Sequence, residues 1–168
     1  MYAVAAAADA EVVSAPAGTA AEFVSLVLIH PLLEAIFMDR AKTAKESEIV
    51  MVQLVLPNDV NLLGNLKGGT LMHWIDIAAA LAASKHSNCY VATAAMDSLD
   101  FKYPSKLGSM VKLSARLMSV GKTSMRIKVT VTSEQLQTGK IIKTNEATLV
   151  FVALDKDGRP TPVPRLID

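Results

Sequence analysis

The sequence predicts an α+β fold in which an antiparallel sheet wraps around one long central helix. A run rich in β-branched residues, "EIVMVQLVLP", predicts a strand that ends at Pro57. After a double glycine, "TLMHWIDIAAALAASK" contains neither Pro nor Gly and predicts a single helix. Beyond the helix, apolar residues recur at every second position, which is typical of strands. With 168 residues, the chain is long enough for one domain with a substantial core.

The chain has two parts of different composition. Residues 1–45 form an Ala-rich appendage whose first Lys or Arg is Arg40, so the segment lacks the basic residues of a secretory or mitochondrial signal. We expect it to be poorly ordered or weakly helical; a natural start at Met38 would also explain it. Residues 46–168 form the predicted domain.

The predicted helix runs from Thr70 to about Lys85. An apolar stripe at helical spacing marks the face that should pack against the sheet, and it consists of Leu71, Ile75, Ala78, Ala79 and Ala82. Four strands follow, and we expect them to form an antiparallel meander. The first is "VATAAMDSLDFKYP", and the turns "SVGKTS" and "LQTGK" separate the others. At the end of the helix, His86 stands where the helix dipole favours a cation.

Composition disfavours several classes of function. The net charge is +1 and no basic stripe with interleaved aromatic residues is present, so we expect no nucleic-acid partner. The apolar run before Arg40 is short for a membrane span and is interrupted by His30-Pro31. The one cysteine, Cys89, rules out an internal disulfide and fits a reducing, cytoplasmic compartment. No Cys/His cluster has metal-ligand spacing and no phosphate-binding glycine motif occurs, so we expect neither a metal nor another cofactor.

Asp76 is a candidate catalytic residue because it stands among apolar residues on the predicted helix, where we expect it to be buried. A carboxylate in apolar surroundings costs free energy unless it has a partner or takes part in chemistry. Asp76 is therefore a candidate general base, although a lone helical aspartate that faces solvent is the ordinary alternative. His73, one turn earlier, is expected to be an exposed helix residue.

Gly68 and Gly69 supply a second candidate group. Glycine just before a helix lets a ligand approach the backbone, and the N–H groups of the first helical turn have no partner within the helix. Such donors suit a carbonyl oxygen that gains negative charge, although a tight entry to the helix explains the pair equally well. Asp76 lies about 12 Å farther along the helix axis than Gly68. One chain cannot bring both groups to one carbonyl carbon, so a shared site requires a two-fold dimer.

The stretch "NDVNLLGNLKGGTLMHWID", residues 58–76, resembles the signature of hot-dog-fold acyl-CoA thioesterases. It is most similar to the YciA-like bacterial enzymes and the cytosolic (brain-type) acyl-CoA hydrolases of animals. Supporting matches are "VATAAMDSLDF", "YPSKLGS", "SVGKTSMRIKV" and "DGRPTPVP". The resemblance covers about residues 46–166.

The resemblance implies a hot dog fold and a homodimer or a trimer of dimers. It implies hydrolysis of acyl-CoA to a free carboxylic acid and CoA, without a metal or cofactor. By motif position, Asp76 would be the catalytic carboxylate that activates water or attacks the thioester itself. Asn61 would complement it from across the dimer, and the amides of Gly68 and Gly69 would polarise the thioester carbonyl.

The resemblance also implies where the CoA part of the substrate would bind. The turn "VGKTS" matches the family's turn near the nucleotide and the pantetheine, which makes candidates of Gly121, Lys122, Thr123 and Ser124. Lys122 is suited to a phosphate, although an ordinary hairpin lysine explains it equally well. Arg159 is a further candidate for the same role.

Three alternatives compete with a thioesterase. A hydratase or dehydratase of the same fold needs a catalytic histidine near the helix, and the motifs typical of those enzymes do not occur. A non-enzymatic acyl-CoA sensor carries a helix-turn-helix segment, and residues 1–45 have neither its pattern nor its basic charge. Nothing in the sequence supports the third alternative, a domain from a larger thioesterase with a lipid-binding partner domain.

Overall fold

In residues 41–167, one helix packs on a five-stranded antiparallel sheet. The structure is a computed structural model and describes these residues. Helix α1 spans Gly68–Ser87. The strands are β1 Lys42–Thr43, β2 Ile49–Leu54, β3 Tyr90–Phe101, β4 Met110–Val120, β5 Ser124–Gln135, β6 Lys140–Leu154 and β7 Leu166–Ile167. A 3₁₀ turn, Pro57–Asp59, follows β2 in the connection to α1. The predicted α+β architecture is confirmed.

The strand order of the large sheet is β2-β4-β5-β6-β3, and all neighbours are antiparallel. Strands β4, β5 and β6 form a meander, but the prediction that β3 continues this meander is wrong. Because β2 occupies the other side of β4, β3 pairs with β6 at the opposite edge of the sheet. Residues 102–109 carry the chain from β3, at this edge, to the inner strand β4 beside β2.

The apolar stripe of α1 is buried against the sheet, as predicted. Its alanines have little side-chain volume, so the helix lies close to the sheet. The facing side of the sheet is built from alternate residues of the strands, including Val111, Leu113, Ala115, Met125, Ile127, Val129, Ala147, Leu149 and Phe151, all of them buried. The helix is longer than predicted, and Gly68 and Gly69 form its first turn instead of preceding it.

Strand β3 contains two bulges, one at Ala94 and one at Asp97, where its register against β6 shifts. A bulge moves the following residues to the opposite face of the sheet. The residues of β3 that lie opposite buried residues of β6 are therefore spaced by three positions across each bulge and by two elsewhere; they are Val91, Thr93, Met96, Leu99 and Phe101.

A buried histidine anchors the C-terminus of α1. The Nδ1 atom of His86 lies 3.0 Å from Ser47 Oγ, and its Nε2 atom lies 3.0 Å from the Pro164 carbonyl oxygen. Burial lowers the pKa of His86, and the Lys42 ammonium lowers it further. The cation at this helix end is Lys42 and not His86, which the sequence placed there: Lys42 Nζ donates hydrogen bonds to the carbonyls of Lys85 and His86.

A short parallel pair of strands joins the two ends of the described chain, with Lys42 of β1 opposite Leu166 of β7. Residues 1–40, most of the predicted appendage, lie outside the described residues, so the domain boundary at residue 46 stays a prediction. Within residues 41–167, no helix is both long and apolar enough to cross a lipid bilayer.

Candidate active site

Helix α1 begins without a side-chain cap. Lys67 occupies the N-cap position with an extended backbone, and its side chain makes no capping hydrogen bond. Ser, Thr, Asp or Asn at this position would satisfy one of the free N–H groups of the first turn. Lys67 Nζ instead donates a hydrogen bond to the Asn58 carbonyl, 2.6 Å away. The N–H groups of Gly68 and Gly69 therefore stand uncapped at the positive end of the helix dipole.

Packing within the described chain does not require either glycine. A methyl group on Gly69 would meet no atom within 4 Å, and one on Gly68 would meet the Phe101 ring at an ordinary 3.7 Å. Neither residue is among the glycines with positive φ. The missing side chains instead leave the helix N-terminus open to a ligand or to a second copy of the chain.

Asn61 lies beside this helix terminus, in the loop that precedes it. Its Oδ1 accepts hydrogen bonds from the backbone N–H groups of Leu63 and Asn65, at 3.0 and 3.2 Å. Its amide nitrogen is thus the group that Asn61 can offer to a ligand. Asn61 and Gly68 line one cleft of about 310 Å³, which we call the Asn61 cleft; its walls also include Asn65, Leu71, Phe101 and Asn145.

Asp76 is half-buried in one chain, whereas the sequence predicted that it is buried. Its carboxylate has a hydrogen-bond partner on β3. Thr93 Oγ1 donates a hydrogen bond of 2.8 Å to Asp76 Oδ1. A hydrogen bond to a charged group is stronger than one between neutral groups, and it fixes the orientation of the carboxylate. Thr93 was not predicted as a site residue. His73 is exposed, as predicted.

The predicted CoA-binding turn joins β4 to β5. The N–H of Gly121 donates a hydrogen bond of 2.8 Å to the Ser124 carbonyl and closes the turn. Thr93 lies opposite Phe151 on β6, and Phe151 lies opposite Met125 on β5. Because neighbouring strands are about 4.8 Å apart, the turn ends about 10 Å from Thr93.

Lys122 and Arg159 are exposed on neighbouring turns at the same end of the sheet. The Lys122 carbonyl accepts a hydrogen bond of 3.0 Å from the N–H of Val163, which follows Arg159 in the C-terminal segment. Asp155 Oδ1 accepts a hydrogen bond of 2.9 Å from the Arg159 N–H and holds that turn. The C-terminal segment therefore runs beside the predicted CoA-binding turn.

The structure divides the candidate residues into two groups. Asn61 lies beside Gly68 and Gly69 at the start of α1, whereas Asp76 lies with Thr93 on the side of the predicted CoA-binding turn. About 12 Å of helix separates the two groups, and Asp76 does not line the Asn61 cleft. In the part of the chain that the structure describes, no three His, Cys, Asp or Glu side chains come together as metal ligands.

Comparison with known proteins identifies relatives over most of the chain. A family model described as the thioesterase superfamily matches residues 63–140. The uncharacterized acyl-CoA thioester hydrolase YkhA of Bacillus subtilis is 41% identical over 123 residues, which are 73% of this chain and 72% of that protein. The acyl-CoA thioester hydrolase YciA of Salmonella typhimurium is 33% identical over 122 residues, 71% of this chain and 92% of that protein. A cytosolic acyl coenzyme A thioester hydrolase of Rattus norvegicus is 28% identical over 81% of this chain and 36% of that protein.

Solved structures of thioesterases have the same fold. An apo hexameric acyl-CoA thioesterase is 40% identical with a TM-score of 0.75, over 76% of this chain and 82% of that chain. An acyl-CoA hydrolase of Staphylococcus aureus, solved with butyryl coenzyme A and coenzyme A, is 35% identical with a TM-score of 0.73, over 76% and 78%. Further structures of that hydrolase carry alanine in place of an aspartate, a threonine or an asparagine. The predicted hot dog fold is confirmed, and the chain belongs to the acyl-CoA thioester hydrolases of the thioesterase superfamily.

Proposed function

We propose that this protein hydrolyses acyl-CoA to a free carboxylic acid and CoA at a site shared by two copies of the chain. The observation that carries the proposal is the separation of the two candidate groups along α1. The Asn61 cleft lies at the helix N-terminus, and the Asp76–Thr93 pair lies two turns later. Relatives named as acyl-CoA thioester hydrolases support the substrate class.

The exposed edge of the sheet supports the pairing of two copies. β3 is the last strand in the sheet order, and this 12-residue strand pairs with β6 on one side only among the described strands. A long unpaired edge is a template for another strand. Pairing along β3 would bring Asp76 and Thr93 of one copy toward the other copy, and the solved hexameric relative supports a trimer of such dimers.

In the proposed complex, the thioester carbonyl oxygen accepts hydrogen bonds from the N–H groups of Gly68 and Gly69. Attack on the carbonyl carbon transfers negative charge to this oxygen, and the two N–H groups and the helix dipole stabilise that charge. The amide nitrogen of Asn61, in the same cleft, donates to the carbonyl or to the attacking water.

Asp76 of the second copy supplies the base or the nucleophile. As a base, it takes a proton from water while the water oxygen attacks the carbonyl carbon; the C–S bond then breaks and the proton passes to the leaving sulfur. As a nucleophile, the carboxylate attacks the carbonyl carbon and releases the thiolate, and water then hydrolyses the mixed anhydride. In both routes Thr93 orients the carboxylate.

The variants of the Staphylococcus aureus hydrolase support these roles. The asparagine, aspartate and threonine replaced there are separated by 15 and 17 positions. Asn61, Asp76 and Thr93 have the same separations in this chain. We therefore assign these three residues to one catalytic unit that spans the two copies.

The CoA moiety is proposed to lie against the β4–β5 turn. Gly121, Thr123 and Ser124 would contact it through the turn, and the exposed cations of Lys122 and Arg159 suit its phosphates. The residues named supply a base and oxyanion donors, so the proposed reaction needs no metal or other cofactor. A cytoplasmic location also stays a proposal.

The proposal is tested by measuring CoA release from a panel of acyl-CoA thioesters with short to long acyl chains. We expect prompt hydrolysis by the wild type and a fall by orders of magnitude in Asp76→Ala. Isotopically labelled water distinguishes the two routes, because only the nucleophilic route allows label to enter the Asp76 carboxylate in a single turnover. Binding of acyl-CoA without CoA release above background would contradict hydrolysis and favour a non-enzymatic acyl-CoA sensor.

A further inference from the structure

Two buried amide oxygens in the Asn61 cleft have no hydrogen-bond donor among the described residues. The Oδ1 atoms of Asn65 and Asn145 are buried and unpartnered within residues 41–167. Both residues line the cleft together with Asn61 and Gly68. Buried acceptors without a donor are rare in folded proteins because they lose their hydrogen bonds to water. Two of them in one cleft indicate a ligand that supplies the donors.

The two polar atoms of the Asn145 amide differ in their surroundings. Its Nδ2 donates a hydrogen bond of 3.0 Å to the Asp100 carbonyl on β3, whereas its Oδ1 has no donor within residues 41–167. Asn145 is 2% exposed and lies opposite Phe101, on the helix-facing side of the sheet. The positions that follow on the same side of β6 are apolar: Ala147, Leu149, Phe151 and Ala153. A polar residue at this point costs stability unless its polar atoms form hydrogen bonds.

We propose that Asn145 and Asn65 accept hydrogen bonds from a donor that the substrate carries close to its thioester group. This inference rests on the proposed function, because the thioester carbonyl would bind to the Gly68 and Gly69 amides at the border of the same cleft. Two parts of an acyl-CoA have such a donor within a few bonds of the thioester. One is the nearest amide N–H of the pantetheine arm, and the other is a hydroxyl group near the start of the acyl chain.

A cleft with buried acceptors discriminates against substrates that lack the donor. An analogue that fills the same space without an N–H or O–H would leave both oxygens unpaired. The analogue would therefore bind more weakly than the substrate that carries the donor. We expect a preference of at least about fivefold for the substrate that carries the donor.

Two matched pairs of substrates test the inference and identify the donor. The first pair is an S-acyl-N-acetylcysteamine and its isostere with an ester oxygen in place of the amide N–H. The second pair is a 3-hydroxyacyl thioester and the unsubstituted acyl thioester of equal length. The ratio of kcat/KM within each pair is measured for the wild type and for Asn145→Leu. A preference in the first pair that is lost in Asn145→Leu identifies the pantetheine amide, and a preference in the second pair that is lost in Asn145→Leu identifies the acyl hydroxyl.

The ratio of kcat/KM within the preferred pair should fall to about one in Asn145→Leu and keep its wild-type value in Thr144→Val. Thr144 is the matched control because it is a buried neighbour on β6 whose hydroxyl bonds to the Val131 carbonyl and which does not line the cleft. Should Asn145→Leu fail to fold, Asn65→Leu removes the other proposed acceptor and should likewise lower the preference. Equal kcat/KM within both pairs in the wild type would overturn the inference, since water or the second copy would then supply the donors.

Calorimetric binding of the same pairs separates this inference from the proposed hydrolysis. A wild type that releases no CoA contradicts the proposed function, yet a fivefold difference in dissociation constant within one pair still supports the donor-binding role of Asn145. Equal dissociation constants in both pairs would overturn that role whether or not the thioesters are hydrolysed.

Discussion

Replacing Thr93 by Val tests whether the Asp76–Thr93 pair belongs to the catalytic site. The substitution exchanges a hydroxyl for a methyl group at nearly constant volume and deletes the 2.8 Å hydrogen bond to Asp76 Oδ1. A hydrogen bond to a charged group contributes about 1.5–3 kcal/mol. Because Asp76 is half-buried and Thr93 is exposed in one chain, the lower value applies. A loss of about 1.5 kcal/mol corresponds to a fall of about tenfold in kcat/KM.

The assay follows CoA release with a thiol reagent for Thr93→Val and two controls. Thr93→Ser retains the hydroxyl and should keep kcat/KM within about twofold of the wild type. Ser98→Ala alters another exposed position of β3 that lies opposite Thr148 and should leave the rate unchanged. A fall of less than about twofold in correctly folded Thr93→Val would refute the assigned role of the pair.

Three further predictions concern the helix and the core. Gly69→Ala should raise the free energy of unfolding by about 0.5–1 kcal/mol, since its methyl group meets no atom in one chain, and thermal melts check this gain. The same substitution should lower kcat/KM at least about tenfold because the methyl group blocks the helix N-terminus, and CoA-release assays check this loss. Burial and the Lys42 ammonium lower the pKa of His86 in the folded chain, and the Pro164 carbonyl and Glu46 oppose this shift only in part. Below about pH 6.5 the unfolded chain therefore binds more protons than the folded chain, so the free energy of unfolding should fall as the pH drops. Thermal melts should show this fall in the wild type and a less steep fall in His86→Gln. Leu113→Ala, at a fully buried position facing α1, should cost about 2–5 kcal/mol in denaturant unfolding, whereas exposed Met118→Ala should cost little.

Local patterns predicted the elements that pack by regular periodicity. The stripe from Leu71 to Ala82 repeats at the helical period, and β5 and the part of β4 up to Leu117 alternate regularly, so each buried face could be identified from spacing alone. The oxyanion candidates Gly68 and Gly69 were also accessible, because glycine and a helix start are local features. The approximate distance from Gly68 to Asp76 along the helix axis then followed from helix geometry.

The remaining features depend on contacts between distant residues. Thr93 is 17 positions from Asp76, and no local pattern links the two residues. The bulges at Ala94 and Asp97 change which residues of β3 beyond Thr93 face the helix, so strict alternation could not identify Met96 or Leu99. The position of β3 beside β6 depends on which edge of the meander β2 occupies. Asn145 became a candidate only when its oxygen proved to be buried without a donor in the described chain. Such pairings carry no short-range signal in one sequence.

The central claim, that each site combines residues of two copies, is tested most directly by mixing two inactive variants. Asp76→Ala and Asn61→Ala should each have little activity alone. When the two chains are co-expressed and pair at random, half of the dimers are mixed, and each mixed dimer has one intact site. CoA release should therefore recover to about one quarter of the wild-type rate in the mixture. Absence of recovery, with mixed dimers demonstrated by two affinity tags, would contradict the shared site.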